Sequence, residues 1–261
     1  PDQEEWHGNV LLMTLKAHLE LGNTPDAEKA GMQLWKDHQT SIPTSRGLYA
    51  LGRHFDQAQR AIADEAKKLP LLEKAATPIE EVRNILHQLA QIYMRQGSFK
   101  QALPLLERLA CIDGDKPAQI KEMREALAKK PNEVQPSDIQ KLLTPSLAYL
   151  KDLVVCYGEL GGYYPAINLC RRMWRGVKPQ TDEWYWARYY YCYMWYVVGC
   201  SNDSIDALRN AQESLENLSK LDLIKLCKDE ETRKNLNGLI LKVQRGVDTL
   251  GAGGTLKGEP K

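Results

Sequence analysis

The side chains that most often carry chemistry are spread along this chain without a recognisable catalytic or metal-binding pattern. No two of the five histidines lie three or four residues apart, the spacing that puts two metal ligands on one side of a helix. The sequence also lacks a phosphate-binding glycine loop, H-E-x-x-H and G-x-S-x-G. It therefore predicts no enzyme activity, no metal and no cofactor, although an active site built from distant residues would leave no such motif.

The six cysteines form neither a C-x-x-C pair nor a zinc-type spacing. Because cysteine is among the most buried residue types, we interpret them as reduced thiols inside helices. Cys156 and Cys170 are predicted to lie on two neighbouring helices, so a disulfide between them remains an alternative.

Charge and hydropathy exclude several classes of partner. Lys plus Arg number 35 against 34 for Asp plus Glu, so no overall field favours nucleic acid or an anionic membrane. No apolar stretch approaches the about 18 residues of a membrane-spanning helix. No signal peptide is visible, which slightly favours a cytoplasmic location. Because the chain starts at Pro1 and not at a Met, an exported form is the alternative.

The elements that must position any site are helices. Apolar residues recur every three or four positions, and glycine or proline separates helix-length segments. Two segments also share one spacing, in which a tyrosine is followed by glycine at four residues, an aromatic ring at six and alanine at nine. These two sets are Tyr93, Gly97, Phe99, Ala102 and Tyr157, Gly161, Tyr163, Ala166. Weaker copies contain His18, Gly22, Ala27; Trp195, Gly199, Ser204; and Tyr49, Phe55, Ala58.

This spacing resembles that of the tetratricopeptide repeat family. The ring closes the first helix of a pair, the glycine ends it in a left-handed conformation, and the small residue lets the second helix approach closely. The resemblance implies an all-α, right-handed superhelix (α-solenoid) of antiparallel helix hairpins, with turns at Gly22, Gly97, Gly161 and Gly199. We expect a single domain over residues 1–250, with an inserted helix and loop at about 114–146, a capping helix at about 229–250 and a flexible tail at 251–261.

Nine of the seventeen residues from Glu183 to Gly199 are Trp or Tyr. Alignment of Trp195 with Tyr93 and Tyr157 predicts that Tyr191, Cys192 and Trp195 pack inward. The resemblance implies that the opposite side of each first helix lines a concave groove. In the aromatic helix that side carries Trp186, Tyr189, Tyr190, Tyr193 and Tyr196, and in neighbouring repeats it carries His87, Gln91, Arg95 and Lys151.

So many rings cannot all be covered by two neighbouring helices. Either the chain itself covers them, or they form a groove for a ligand or partner, or they form a surface for self-association. The sequence CRRMWRG adds Arg171, Arg172 and Arg175, interpreted as a solvated face or as a local contact for an anion or acidic peptide.

The leading hypothesis is a non-catalytic interaction protein that holds a peptide or protein segment in the groove. A binder of small molecules or glycans is the alternative, since stacked Tyr and Trp suit sugar faces, and a helical enzyme domain is the third. Some members of the family bind peptide C-termini through a clamp of Lys, Asn and Arg. His87 and Gln91 stand where Lys and Asn would be needed, so binding of that kind is not predicted.

Overall fold

The computed structural model describes residues 2–38, 41–57, 69–70, 73, 83–114, 116–144 and 146–256. These residues form helices and no strand, apart from one isolated antiparallel bridge between Cys111 and Leu143. The predicted all-α class is confirmed. No helix within the described ranges has both the length and the apolar character needed to cross a bilayer.

The chain divides into two compact units, residues 1–109 and 110–261. Helices of the first unit are α1 (Asp2–Glu20), α2 (Thr24–Asp37), α3 (Ile42–Gln57), α4 (Arg83–Arg95) and α5 (Phe99–Ala110), which ends at the boundary. Those of the second unit are α6 (Pro117–Ala128), α7 (Pro136–Gln140), α8 (Leu147–Glu159), α9 (Tyr163–Gly176), α10 (Asp182–Asn202), α11 (Ile205–Lys220) and α12 (Glu230–Gly251).

In the first unit, α1, α2 and α3 pack against one another. Their apolar residues form one buried cluster, which includes Leu12, Leu15, Leu34 and Leu51. The weak repeat copy at Tyr49 is wrong, because α3 continues without a turn through Arg53 to Gln57. Its predicted small residue, Ala58, lies outside the described residues.

Three of the four predicted turns are confirmed. Gly22, Gly97 and Gly161 have φ of +71°, +70° and +79°, values that glycine adopts at little steric cost. After each glycine, the next backbone N–H donates to a carbonyl five residues earlier. These bonds join Asn23 to His18 at 2.8 Å, Ser98 to Tyr93 at 2.8 Å and Gly162 to Tyr157 at 2.7 Å. The pattern is that of a Schellman motif.

The fourth predicted turn is wrong by four residues. Gly199 lies inside α10, which continues to Asn202, and Asp203 takes the left-handed conformation instead, with φ of +48°. The Ser204 N–H donates to the Gly199 carbonyl at 2.9 Å, so Gly199 occupies the place that Tyr157 holds in the preceding pair. Leu208 then occupies the place of Ala166.

This shift exchanges a large and a small residue across the helix crossing. In the pair α8–α9, the ring is on the first helix and the alanine is on the second. In the pair α10–α11, the glycine is on the first helix and the leucine is on the second. A Cβ placed on Gly199 would lie 2.5 Å from Leu208 Cδ2, so glycine leaves the space that the leucine fills.

Consecutive helices of the second unit pack as neighbours from α8 to α12, and α12 also contacts α10. The predicted insertion at 114–146 contains α6 and α7, both of which pack on α9. The core of this unit includes Tyr185, Cys192, Leu208, Leu215 and Leu239. Asp229 caps α12 by accepting a hydrogen bond from the Thr232 N–H at 3.3 Å.

The segment predicted as a flexible tail begins with an ordered return to the core. Leu256 is buried, and its N–H donates to Asp203 Oδ1 at 2.8 Å. The Thr255 hydroxyl donates to the other oxygen of the same carboxylate at 2.9 Å. Asp203 therefore ends α10 and also holds this segment, while residues 257–261 lie outside the described part of the chain.

All six cysteines are buried, and none of them forms a disulfide. Cys156 and Cys170 do not form the alternative disulfide. Burial raises the pKa of Cys192 to about 11 and raises the pKa of Cys170 well above its ordinary value. These environments suit structural thiols better than reactive ones.

Candidate functional site

The aromatic helix α10 begins at a well-formed N-cap. The Thr181 hydroxyl accepts a hydrogen bond from the Trp184 N–H at 3.3 Å, and Asp182 and Glu183 place negative charge in the first turn. Beyond this cap the helix is apolar nearly all round. Its rings divide among the core of the second unit and two separate cavities.

Tyr185 belongs to the core. Tyr185 is fully buried, and its hydroxyl donates a hydrogen bond to the Leu223 carbonyl at 2.6 Å. Arg188, the charged residue inside the aromatic run, lies with its guanidinium carbon 4.6 Å from the Trp174 ring centroid and 5.5 Å from that of Trp184. These distances are those of cation–π contacts.

The first cavity lies between α8 and α10, and we call it the tyrosine cavity. Its volume is about 530 Å³. It is lined by Val155, Gly158, Glu159, Tyr163, Tyr189, Tyr190, Tyr193, Met194 and Val197. α8 and α10 are the first helices of consecutive pairs, so the cavity lies on the side that the sequence predicted as a groove.

The rings at this cavity contact one another. Tyr189 and Tyr193 are stacked, with an interplanar angle of 16° and centroids 5.9 Å apart. Next to them Trp186 packs on Tyr190, with centroids 4.2 Å apart. Lys151 Nζ lies 5.3 Å from the Trp186 ring centroid. Five of the predicted site residues are thus brought together, and all are half-buried.

The electrostatics of the cavity disfavour negative charge on the phenols. Burial, followed by the neighbouring phenols of Tyr190 and Tyr193, raises the pKa of Tyr189 to about 12. Burial also raises the pKa of Tyr190, and Glu159 and Glu231 contribute to that shift. Tyr189 and Tyr190 are therefore neutral near pH 7. The negative charges of Glu159 and Glu231 add to the rise in the pKa of Tyr190.

Tyr196 is not part of this group. It is 5% exposed and belongs to the core of the second unit. The four-residue shift of the turn explains the error, because Tyr196 then takes the place of Val154 and Ala90, which are both fully buried. The remaining predicted residues, His87, Gln91 and Arg95, lie on α4 of the first unit, where His87 Nε2 is 3.4 Å from Gln91 Nε2.

The second cavity, of about 620 Å³, is formed by α9, α10, α11 and the loop after α6, and we call it the basic cavity. It is lined by Lys130, Pro131, Asn132, Tyr164, Arg171, Trp174, Arg175, Tyr191, Trp195, Val198, Ser204, Asp206, Ala207 and Asn210. Tyr191 and Trp195 were predicted to pack inward, and both pack against the core of the second unit. Each is nevertheless only half-buried, because its other side forms part of the wall of this cavity. Only Cys192 of that predicted set is fully buried.

The structure also pairs two histidines that the sequence left isolated. His7 Nδ1 lies 2.9 Å from His38 Nε2, with His7 exposed and His38 half-buried. No third histidine, cysteine or carboxylate joins them to form a metal-binding group in the described part of the chain. The contact links residues 31 positions apart, a separation that no local spacing could have indicated.

No family model matches the chain, and a search of curated proteins found no match. Among solved structures, the chain is similar to a putative kinesin light chain from Podosopora anserina described as having nearly identical TPR-like repeats. The identity is 12%, the TM-score is 0.46, and the match covers 91% of this chain and 96% of that one. A single-substitution variant of that protein matches at 12% identity with a TM-score of 0.45, over 81% of this chain and 96% of that one.

A third similar structure is the TPR2AB domain of yeast Sti1 in complex with pHSP90. It matches at 10% identity with a TM-score of 0.30, over 91% of this chain and 98% of that one. The chain is an all-α protein built of tetratricopeptide-like helix hairpins, as its turn geometry and the order of its helix pairs indicate.

Proposed function

We propose that this chain is a non-catalytic interaction protein that binds a peptide or protein segment against the tyrosine cavity. The observation that supports this best is the group Tyr189, Tyr190 and Tyr193, three half-buried rings at one cavity. Half-buried aromatic rings gain further contact area when a partner covers them. Aromatic anchors of this kind are enriched among the residues that dominate binding energy in protein interfaces.

The chemistry of the cavity favours a segment that presents a basic side chain. Tyrosine faces attract cations, and four tyrosines are among the described lining residues, with no lysine or arginine. Glu159 adds a carboxylate to the wall, and Glu231 acts electrostatically on Tyr190. A lysine or arginine entering between the rings would meet both kinds of attraction.

A binding role is also preferred over an enzymatic one. A catalytic carboxylate is commonly buried among apolar groups in its cleft. Glu159, the carboxylate among the described lining residues, is exposed. His87, Gln91 and Arg95, on α4 of the first unit, are proposed as a separate contact surface of that unit.

The test starts from a peptide library selected on the full chain, followed by calorimetry of the enriched peptides. We expect enrichment of Lys or Arg. We expect Tyr190→Ala to weaken binding about tenfold, the effect of losing an interface anchor worth about 1.4 kcal/mol. Tyr149→Ala is the matched control, because Tyr149 is a half-buried tyrosine of α8 outside the cavity lining.

Equal binding to wild type, Tyr190→Ala and Tyr193→Ala, with unchanged thermal midpoints, would contradict the proposal.

A binder of small molecules or glycans is the alternative, supported by the parallel Tyr189–Tyr193 pair and by a cavity in the usual size range of ligand pockets. Binding of an oligosaccharide panel that is lost in Tyr190→Ala, without any enriched peptide, would favour it. Sedimentation of wild type and Tyr190→Ala distinguishes self-association through the same rings.

A further inference from the structure

The basic cavity lies on the other side of α10 from the tyrosine cavity and has the opposite charge. Lys130, Arg171 and Arg175 line it, against a single described carboxylate, Asp206. Among the described residues, none of these three cations has a carboxylate within ion-pair distance, and Asp206 itself lies 3.9 Å from Arg209, outside the lining. The described lining therefore has three cations and one carboxylate, and that carboxylate is not paired with any of the three.

The wall formed by the loop after α6 is held in place by buried hydrogen bonds. Asn168, which is 1% exposed, donates from Nδ2 to the carbonyls of Leu127 and Lys129, both at 2.9 Å. Arg171 donates to the Pro131 carbonyl. These bonds hold the loop that carries Lys130 and Asn132 against α9. This wall of the cavity is therefore fixed by buried hydrogen bonds to a helix.

The floor of the cavity consists of rings that pack on one another. Trp174 and Tyr191 meet edge to face, with centroids 4.5 Å apart, and Tyr164 meets Trp195 with centroids 6.2 Å apart. Tyr191 also lies 6.4 Å from Trp195. Arg188, packed on Trp174, supports this floor from within the helix layer. Interlocked rings form a rigid apolar surface that loses little side-chain entropy on binding.

We propose that the basic cavity binds an acidic peptide segment that carries an aromatic side chain. The carboxylates of the segment pair with Arg171 and Arg175, and its ring packs against Tyr164 and Trp195. The cations are distributed over one turn of α9 and a separate loop, which suits carboxylates on successive side chains better than one compact anion. The site is independent of the tyrosine cavity, since the two share no lining residue.

Calorimetry with pentapeptides tests the proposal on the full chain. The probe is acetyl-EDFED-amide, compared with acetyl-QNFQN-amide, which lacks the carboxylates, and acetyl-EDAED-amide, which lacks the ring. We expect only EDFED to bind well, with affinity that falls as salt concentration rises. Inorganic phosphate is the test for binding of a simple anion.

Arg175→Gln is the main variant, because Arg175 is exposed and its loss should not disturb the fold. We expect it to weaken EDFED binding about tenfold, as charge-assisted hydrogen bonds typically contribute. Arg245→Gln is the matched control on exposed α12 surface outside the cavity and should bind like wild type. Equal affinity for EDFED and QNFQN, an undiminished affinity in Arg175→Gln, or phosphate binding as tight as that of EDFED would overturn the proposal.

Discussion

Tyr185 and Tyr190 are five positions apart on α10 and occupy contrasting environments. Tyr185 has no exposed surface, and its hydroxyl has a backbone acceptor, the Leu223 carbonyl. Tyr190 is half-buried and contacts Trp186, Tyr189 and Tyr193 at the tyrosine cavity. The first ring belongs to the core of the second unit, and the second keeps part of its surface exposed at the cavity.

Truncation of these two rings should therefore have different costs. We expect Tyr185→Ala to lower the free energy of unfolding by about 3–5 kcal/mol, the usual range for a buried large ring. Tyr185→Phe should lower it by about 1 kcal/mol through loss of the hydroxyl bond. Tyr190→Ala should cost clearly less than Tyr185→Ala in urea unfolding, because its ring is only partly buried. Equal costs would mean that the tyrosine cavity belongs to the core, and the proposed binding surface would lose its support.

At the scale of the helix pair, α10–α11 differs from α8–α9 in which of its two helices carries the large residue at the crossing. In α8–α9, the large residue Tyr157 is on the first helix and the small residue Ala166 is on the second, and both are buried. In α10–α11, Leu208 on the second helix fills the space above Gly199 on the first. Each arrangement sets one large residue against one small one, which close packing at a helix crossing favours. The consequence is that the two residues of a crossing cannot be substituted independently.

Gly199→Ala should lower the free energy of unfolding by about 1–3 kcal/mol through overpacking, and Leu208→Ala by about 2–5 kcal/mol through a cavity. In the double variant the added methyl fills part of that cavity, so the combined cost should be smaller than the sum by about 0.5–3 kcal/mol. Gly238→Ala is the matched control, because a Cβ there meets no atom within 4 Å, and it should stabilise α12 by up to about 1 kcal/mol. Strict additivity at the crossing would contradict the packing exchange.

At the scale of the whole molecule, the second unit has a core that reaches beyond its last helix. Leu256 belongs to the same buried cluster as Leu208 and Tyr185. A Cβ on Gly246 of α12 would lie 3.3 Å from Leu256 Cδ1, so the leucine packs closely on that helix. Asp203 joins the end of α10 to this segment through two hydrogen bonds.

A chain that ends at Gly251 should therefore be less stable than one that ends at Leu256. We expect a loss of about 2–5 kcal/mol, comparable to removal of a buried leucine side chain, measured as a fall in the urea midpoint. A chain that lacks only residues 257–261 serves as the control for shortening. If the two truncated chains unfold at the same midpoint, Leu256 contributes nothing to the core.

The local features of the fold were predictable because they depend on neighbouring residues. A glycine four positions after a ring ends a helix in a left-handed turn, and three such turns occur where the spacing places them. The side of α10 that carries Tyr189, Tyr190 and Tyr193 also follows from helical periodicity, which tolerates an error of one turn. For Tyr196 the prediction was wrong. The turn lies four residues later than predicted, so Tyr196 belongs to the core and not to the edge of the groove.

From its sequence alone, this protein is determined to be all-α, built of helix pairs, with one helix unusually rich in aromatic rings. Only the tertiary structure decided which residue closes α10, because Gly199 and Asp203 are both compatible with a turn until Leu208 packs on the glycine. Only the tertiary structure also shows the basic cavity. Its loop is held to α9 by hydrogen bonds from Asn168 to Leu127 and Lys129, which are 41 and 39 residues away in sequence. Contacts of that separation depend on how whole helices pack, and no spacing of neighbouring residues encodes them.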